Sequence, residues 1–240
     1  MAHKQIYVDG IGEVFIYKRR GTKSLRLRIT PSGQIRVTIP YWLPYYSANE
    51  FVKKKRNWIS SKTPAIQPIE HGDTIGREHV VCIEYVSASN PPAARVLNDM
   101  IKLKIPLGMH HKGSAMQKQL VSACERALRK EALAYLPQRL ADLARLHNFT
   151  YKKVTIKKMQ SRWGSCSHEK KISLNMYLMQ LNDELIDYVL LHELAHTKVL
   201  SHSKEFWGEL ASHVKNVSEL RKAIKQEEPV IRSSLYTQKD

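Results

Sequence analysis

The sequence predicts an α+β chain: a β-rich N-terminal half, residues 1–112, followed by a helical half with an embedded β-hairpin, residues 113–240. Three observations carry this. Apolar and polar residues alternate up to about residue 105, the signature of half-buried strands. Beyond the stretch 106–113 the apolar period lengthens to about 3.6 residues, the period of a helix. Strands then return over residues 154–178, before a segment apolar on nearly every side.

Residues 6–8 and 14–17 predict short strands about the Asp9-Gly10-Ile11-Gly12 turn, followed by a basic corner at Lys18-Arg19-Arg20-Gly21. A hairpin follows, turning at Thr30-Pro31-Ser32-Gly33. Leu25, Leu27 and Ile29 alternate with Arg26 and Arg28, and Ile35, Val37 and Ile39 alternate with Arg36 and Thr38. One face is therefore core and the other arginine. Past Pro40 and Pro44, Ser47 and Glu50 form a capping box for a helix to about Ser60, with Phe51, Trp58 and Ile59 inward and residues 53–56 mostly outward. Pro64 and Pro68 mark a connection. Residues 80–86, 95–97 and 101–105 predict three more strands separated by turns at Ser89-Asn90-Pro91-Pro92 and Asn98-Asp99.

Leu120, Cys124, Ala127, Leu128, Leu133, Leu136, Leu140, Leu143 and Ala144 then trace one long amphipathic helix, kinked or broken at Pro137. Strands over 154–159, 162–166 and 172–178 surround a turn at His168-Glu169-Lys170-Lys171. Asn182 is the N-cap of the next helix, with Asp183 and Glu184 favourably placed in its first turn. Ser203 caps a further helix whose Phe206, Trp207, Leu210, Val214 and Val217 face inward. The tail from Gln226 is polar and frayed. No internal repeat or low-complexity tract is visible.

The 240 residues suffice for one large domain or two small ones. No apolar run approaches a membrane span, and the start lacks a signal-peptide core, so the expected compartment is the cytoplasm. Cys82, Cys124 and Cys166 are odd in number, far apart and without a CxxC pair, which fits reduced thiols. Cys166 reads best as a small buried hydrophobe. The formal charge of +17 favours polyanionic partners. Residues 1–62 carry 13 Lys and Arg against 3 Asp and Glu, a local excess of +10 and more than half of the total. Arg26, Arg28 and Arg36 are the candidate nucleic-acid contacts on that half, and Tyr41, Trp42, Tyr45 and Tyr46 either stack on unpaired bases or pack between sheet and helix.

The chemistry concentrates in Leu190-Leu191-His192-Glu193-Leu194-Ala195-His196, with His202 six residues on. Residues four apart share a helix face, so His192 and His196 can chelate one metal ion. His202 supplies a third nitrogen and leaves a coordination position open, the mark of catalytic rather than structural zinc. Glu193, about 100° round the helix, is then placed beside the metal as a general base toward water. The expected cofactor is one zinc ion, with another divalent first-row metal as the alternative. Two histidines and a glutamate on a buried helix are costly unless a metal satisfies them.

The spacing is similar to that of the metzincin proteases, but Val199 stands where those have glycine and no methionine follows His202 for a Met-turn. The chain resembles the YgjP-like family of predicted metal-dependent hydrolases more closely, a zincin-type group related to SprT-like and WLM domains. Gln160-Ser161-Arg162-Trp163-Gly164-Ser165-Cys166-Ser167, Ile172-Ser173-Leu174-Asn175, the His192 to His196 motif, and His202-Ser203 with Phe206-Trp207 carry the resemblance. It implies a zincin-like metallopeptidase domain over 113–240, acting on a peptide or protein. Arg162, Trp163, Gly164 and Ser165 form the candidate edge for substrate added as a strand, Gly164 permitting close approach. Arg162, Asn175, Tyr177 and His168 all remain open as oxyanion stabilisers. The competing reading is a nucleic-acid-binding protein with a structural metal closed by Cys166 or His213; a protease directed to nucleic-acid-bound proteins would join the two.

Overall fold

The computed structural model describes residues 3–29, 35–62, 68–229 and 231, so the turn expected at 30–33 and the connection at Pro64 lie outside the described residues. The chain divides into two compact units, residues 1–67 and 68–240.

In the first unit, β1 (His3–Val8) and β2 (Gly12–Arg19) pair antiparallel, as do β3 (Arg26–Ile29) and β4 (Ile35–Pro40). The join is unexpected. β4 runs parallel to β2, which puts β3 at an edge and gives the order β1-β2-β4-β3. Alternation sorts the faces as the sequence requires: Val14, Ile16, Val37 and Ile39 are wholly buried, and Ala48, Val52 and Ile59 join them from α1 (Tyr45–Lys54) and α2 (Arg56–Lys62). The capping box does not form. α1 starts two residues before Ser47, Pro44 holds the N-cap position without a side-chain bond, and Glu50 pairs with Lys53 instead. Trp58, expected inward, is 42% exposed, because the helix ends at Lys55 and the second one restarts in a new phase.

The second unit opens with β5 (Thr74–Ile75), β6 (His79–Val86), β7 (Ala93–Val96) and β8 (Met100–Pro106), in the order β5-β6-β8-β7. Its pairing is antiparallel, parallel, antiparallel, the scheme of the first unit. The topology thus recurs although the residues do not. α3 (Ser114–Leu146) then runs 33 residues, unbroken through Pro137. Proline removes one backbone hydrogen bond, and the burial of Leu136 and Leu140 on either side outweighs that loss. Leu133 turns outward, 52% exposed, and Ala132 takes its place in the stripe. Ile101, Leu103 and Ile105 share one core with Leu120, Leu128 and Leu140, so the division drawn at residue 112 falls within this unit.

A buried node ties α3 to the β5–β6 turn. The Glu131 carboxylate accepts from the Arg77 and Glu78 backbone N–H groups and lies 2.5 Å from His79 Nδ1. Gly76, at φ +68°, passes so close that a Cβ there would sit 2.3 Å from the carboxylate. Beyond α3, β9 (Lys153–Lys157), β10 (Gly164–Cys166) and β11 (Lys171–Asn175) form a sheet ordered β10-β11-β9, leaving β10 at its edge. α4 (Asp183–Ala195), α5 (Lys204–Ala211) and α6 (Val217–Gln226) complete the unit. The last predicted helix is really two, because Asn216 adopts φ +58° ahead of Val217. No described helix is long and apolar enough to cross a membrane.

Candidate metal centre

α4 starts where Asn182 accepts a hydrogen bond from the Leu185 N–H at 2.9 Å. Leu185, Ile186, Tyr188, Val189, Leu190, Leu191, Leu194 and Ala195 are all buried, so this helix lies within the core. The four-residue spacing stacks His192 and His196 on one side, ring centroids 4.9 Å apart. His202, from the loop after the helix, reaches both: its Nε2 is 3.0 Å from His192 Nε2 and 3.2 Å from His196 Nε2. These three residues could hold a metal ion, and among the described residues they are the one such cluster. Cys166 and His213 stand outside it. His213 is engaged by His147 and Glu209, and burial pushes the Cys166 thiol up to about 11.

The ring nitrogens suit a cation. Next to the Val199 carbonyl oxygen at 3.0 Å, His196 Nδ1 must carry the proton and donate it, which leaves the Nε2 lone pair facing the cluster. Burial, reinforced by His196 and His202, pushes His192 down to about 3, and burial likewise lowers His196. Both therefore stay neutral at neutral pH, the form in which imidazole binds metal.

Glu193 follows His192 and is 5% exposed. Burial pushes its carboxyl up to about 8, with Arg162 pulling the other way, and Oε2 has no hydrogen-bond partner. A buried acid without a partner is costly. Beside it runs β10: a Cβ on Gly164 would fall 2.6 Å from both Glu193 Cγ and Oε1, so only glycine fits this approach. Ser165 continues the same edge strand, Trp163 is half-buried against the core, and Arg162 is exposed.

Two of the four oxyanion candidates are engaged elsewhere. Asn175 donates to the Met159 and Arg162 carbonyls, both at 2.8 Å, which pins the loop leading into β10. The Tyr177 hydroxyl donates to Glu125 at 2.9 Å. His168 is exposed in the turn before β11. The arginines Arg26, Arg28 and Arg36 belong to the first unit, on β3 and β4.

An aromatic wall supports the imidazoles. Phe206, fully buried, stacks on His196 at 4.3 Å and meets His192 and His202 edge-on at 4.9 Å each. Trp207 stacks on His202, and the Arg221 guanidinium lies 4.2 Å from the Trp207 ring centroid. The Ser203 cap, which accepts from the Phe206 N–H, sets this wall one turn after His202. Sequence periodicity assigned these aromatics to the core and missed their contact with the imidazoles.

Residues 23–227 match the family described as "YgjP-like, metallopeptidase domain". Among solved structures, the chain is similar to the metallopeptidase zymogen jannalysin of Methanocaldococcus jannaschii, at 27% identity over 38% of this chain and 93% of that one, with TM-score 0.34. It is also similar to the metallopeptidase zymogen abylysin of Pyrococcus abyssi, at 25% identity over 38% and 91%, again with TM-score 0.34. No curated protein matches.

Proposed function

Because the chain belongs to the YgjP-like metallopeptidase family and is a metal-dependent hydrolase, we propose that it cleaves peptide bonds at His192, His196 and His202, with Glu193 as general base. The observation that carries this is the convergence of three imidazole Nε2 atoms beside a buried carboxylate whose Oε2 has no hydrogen-bond partner. Zinc suits this nitrogen set, and when bound it supplies Lewis acidity to the scissile carbonyl and to water. Glu193 takes the proton of the attacking water and passes it to the leaving amine. His196 is held in its ligand tautomer by Val199, and Phe206 with Trp207 fixes the ring planes. The edge strand β10 receives the substrate as an added strand through the backbone of Gly164 and Ser165, flanked by Trp163. Arg162, whose charge already acts on Glu193, is the cation available to the developing oxyanion.

The test is a pair of variants assayed on casein and a broad peptide library. Glu193→Gln is expected to keep wild-type zinc by elemental analysis while losing about 10²- to 10⁴-fold in turnover, and His196→Ala to lose the metal as well. Wild-type turnover in Glu193→Gln would remove Glu193 as the base; full metal content in a His192→Ala, His196→Ala double variant would remove the centre.

A further inference from the structure

The parallel pairing of β2 with β4 sets side by side two kinds of residue that are separate in the sequence. On the face opposite the Val14, Ile16 and Val37 core, Gln5, Phe15, Arg36 and Arg28 are successive register partners across all four strands. Tyr17, Thr38 and Arg26 form the next row. Two aromatic rings two residues apart on the inner strand β2 are therefore flanked by arginines on β4 and β3, and the Arg36 guanidinium lies 5.9 Å from the Tyr17 ring centroid. Arg26 and Arg28 are exposed, Phe15, Tyr17 and Arg36 are half-exposed, and Tyr7 at the β1 end is 76% exposed. With Arg19 at the end of β2, the face carries, among the described residues, four arginines against the one acid Glu13.

Three other basic side chains of this unit make contacts on its remaining surfaces. Lys18 donates to the Tyr41 carbonyl and lies over the Tyr45 ring, Arg20 lies over Tyr41, and Arg56 donates to the Asp9 carbonyl at 2.6 Å. The topologically equivalent face of the second sheet is different again, setting Lys102 against Glu84 at 2.7 Å. Positive charge and π surface thus coincide on one sheet face, the combination that binds unpaired bases by stacking and their phosphates by guanidinium groups.

We propose that this face of the N-terminal sheet is a binding platform for single-stranded nucleic acid, in which Phe15 and Tyr17 stack on successive bases and Arg26, Arg28 and Arg36 contact the intervening phosphates. A duplex hides its base faces and fits the aromatic rows poorly. The platform is independent of the hydrolytic centre, and its test does not read hydrolysis.

Fluorescence anisotropy of the full-length protein with oligo(U), oligo(dT) and a DNA duplex of equal length, across a salt series, provides the measurement. Single strands are expected to bind more tightly than duplex, with the logarithm of affinity falling by about 0.7 per phosphate contacted for each unit of log salt. Changing Arg26, Arg28 and Arg36 together to Gln should reduce that slope by about 2, at three contacts each worth about 0.7. Changing Phe15 and Tyr17 to Leu, which keeps an apolar strand surface, should lower single-strand affinity on the order of tenfold per ring while leaving duplex binding unchanged. Circular dichroism of each variant at wild-type intensity confirms that the sheet persists. Equal affinity for duplex, a slope untouched by the arginine changes, or polyglutamate competing as well as oligo(U) at equal charge would each overturn the platform. If the Leu variant unfolds, Tyr17→Phe at wild-type single-strand affinity supports the stacking role, and a tenfold loss overturns it.

Discussion

At the residue scale, the clustering of His192 with His196 and the burial of Glu193 were legible because a spacing of four residues has one meaning on a helix, and the surrounding leucines show that the helix is buried. The groups that hold them in place were not legible. Nothing in the string says that the Val199 carbonyl meets His196 Nδ1, or that Asn175 spends both amide hydrogens on the Met159 and Arg162 backbone. These are contacts between distant residues through backbone atoms, which carry no sequence signature. Gly164 is intermediate: glycine next to a candidate substrate strand suggested a close approach, and the approach proves to be toward Glu193. Gly164→Ala should therefore leave zinc content unchanged and depress turnover on the order of 10²-fold, the cost of about an ångström of misplacement in a reacting group. Zinc content and kcat measured together check this; a wild-type kcat would show that the strand yields to the methyl group.

At the scale of elements, strands and helices were found largely where alternation and period put them, and partners were found less well. The two hairpins of the N-terminal unit are local and were readable. The parallel β2–β4 pair is non-local, and alternation looks the same whichever neighbour a strand takes. Pro137 shows the reverse case, a helix that continues through a residue expected to kink or break it. The node at Glu131 was also invisible, since a glutamate on the inner stripe of a helix reads as a polar interruption. Glu131→Leu should cost about 3–5 kcal/mol, because it strips His79 and two backbone N–H groups of their acceptor in a buried site. Urea denaturation followed by circular dichroism measures this, and a loss below about 1 kcal/mol would mean that water replaces the carboxylate.

On the scale of the whole molecule, the α+β class and the excess of positive charge in the first quarter were legible, but the division between the halves was drawn at a change of period. Period marks a change of secondary structure; a compact unit is marked by shared burial, and α3 shares its core with the strands before it. That sharing has a mechanical side. The first half of α3 is keyed to the segment before β5 through Gln117 to Ile69 and to β7 through Arg126 to Ala94, while its second half is keyed to α4, through Tyr135 to Asp183 and Arg139 to Asp187. A helix is rigid in torsion, so the angle at one end fixes the angle at the other. Arg129→Ala, at an exposed position between the two sets of contacts, should change stability by less than about 0.5 kcal/mol. Deleting Arg129 should instead rotate everything beyond it by about 100° and draw it back about 1.5 Å, unseating α4 and its histidines; zinc titration of the two variants tells the outcomes apart. α3 is thus the indexing shaft of its unit, and the aim of the imidazoles depends on the count of residues along a helix that carries none of them.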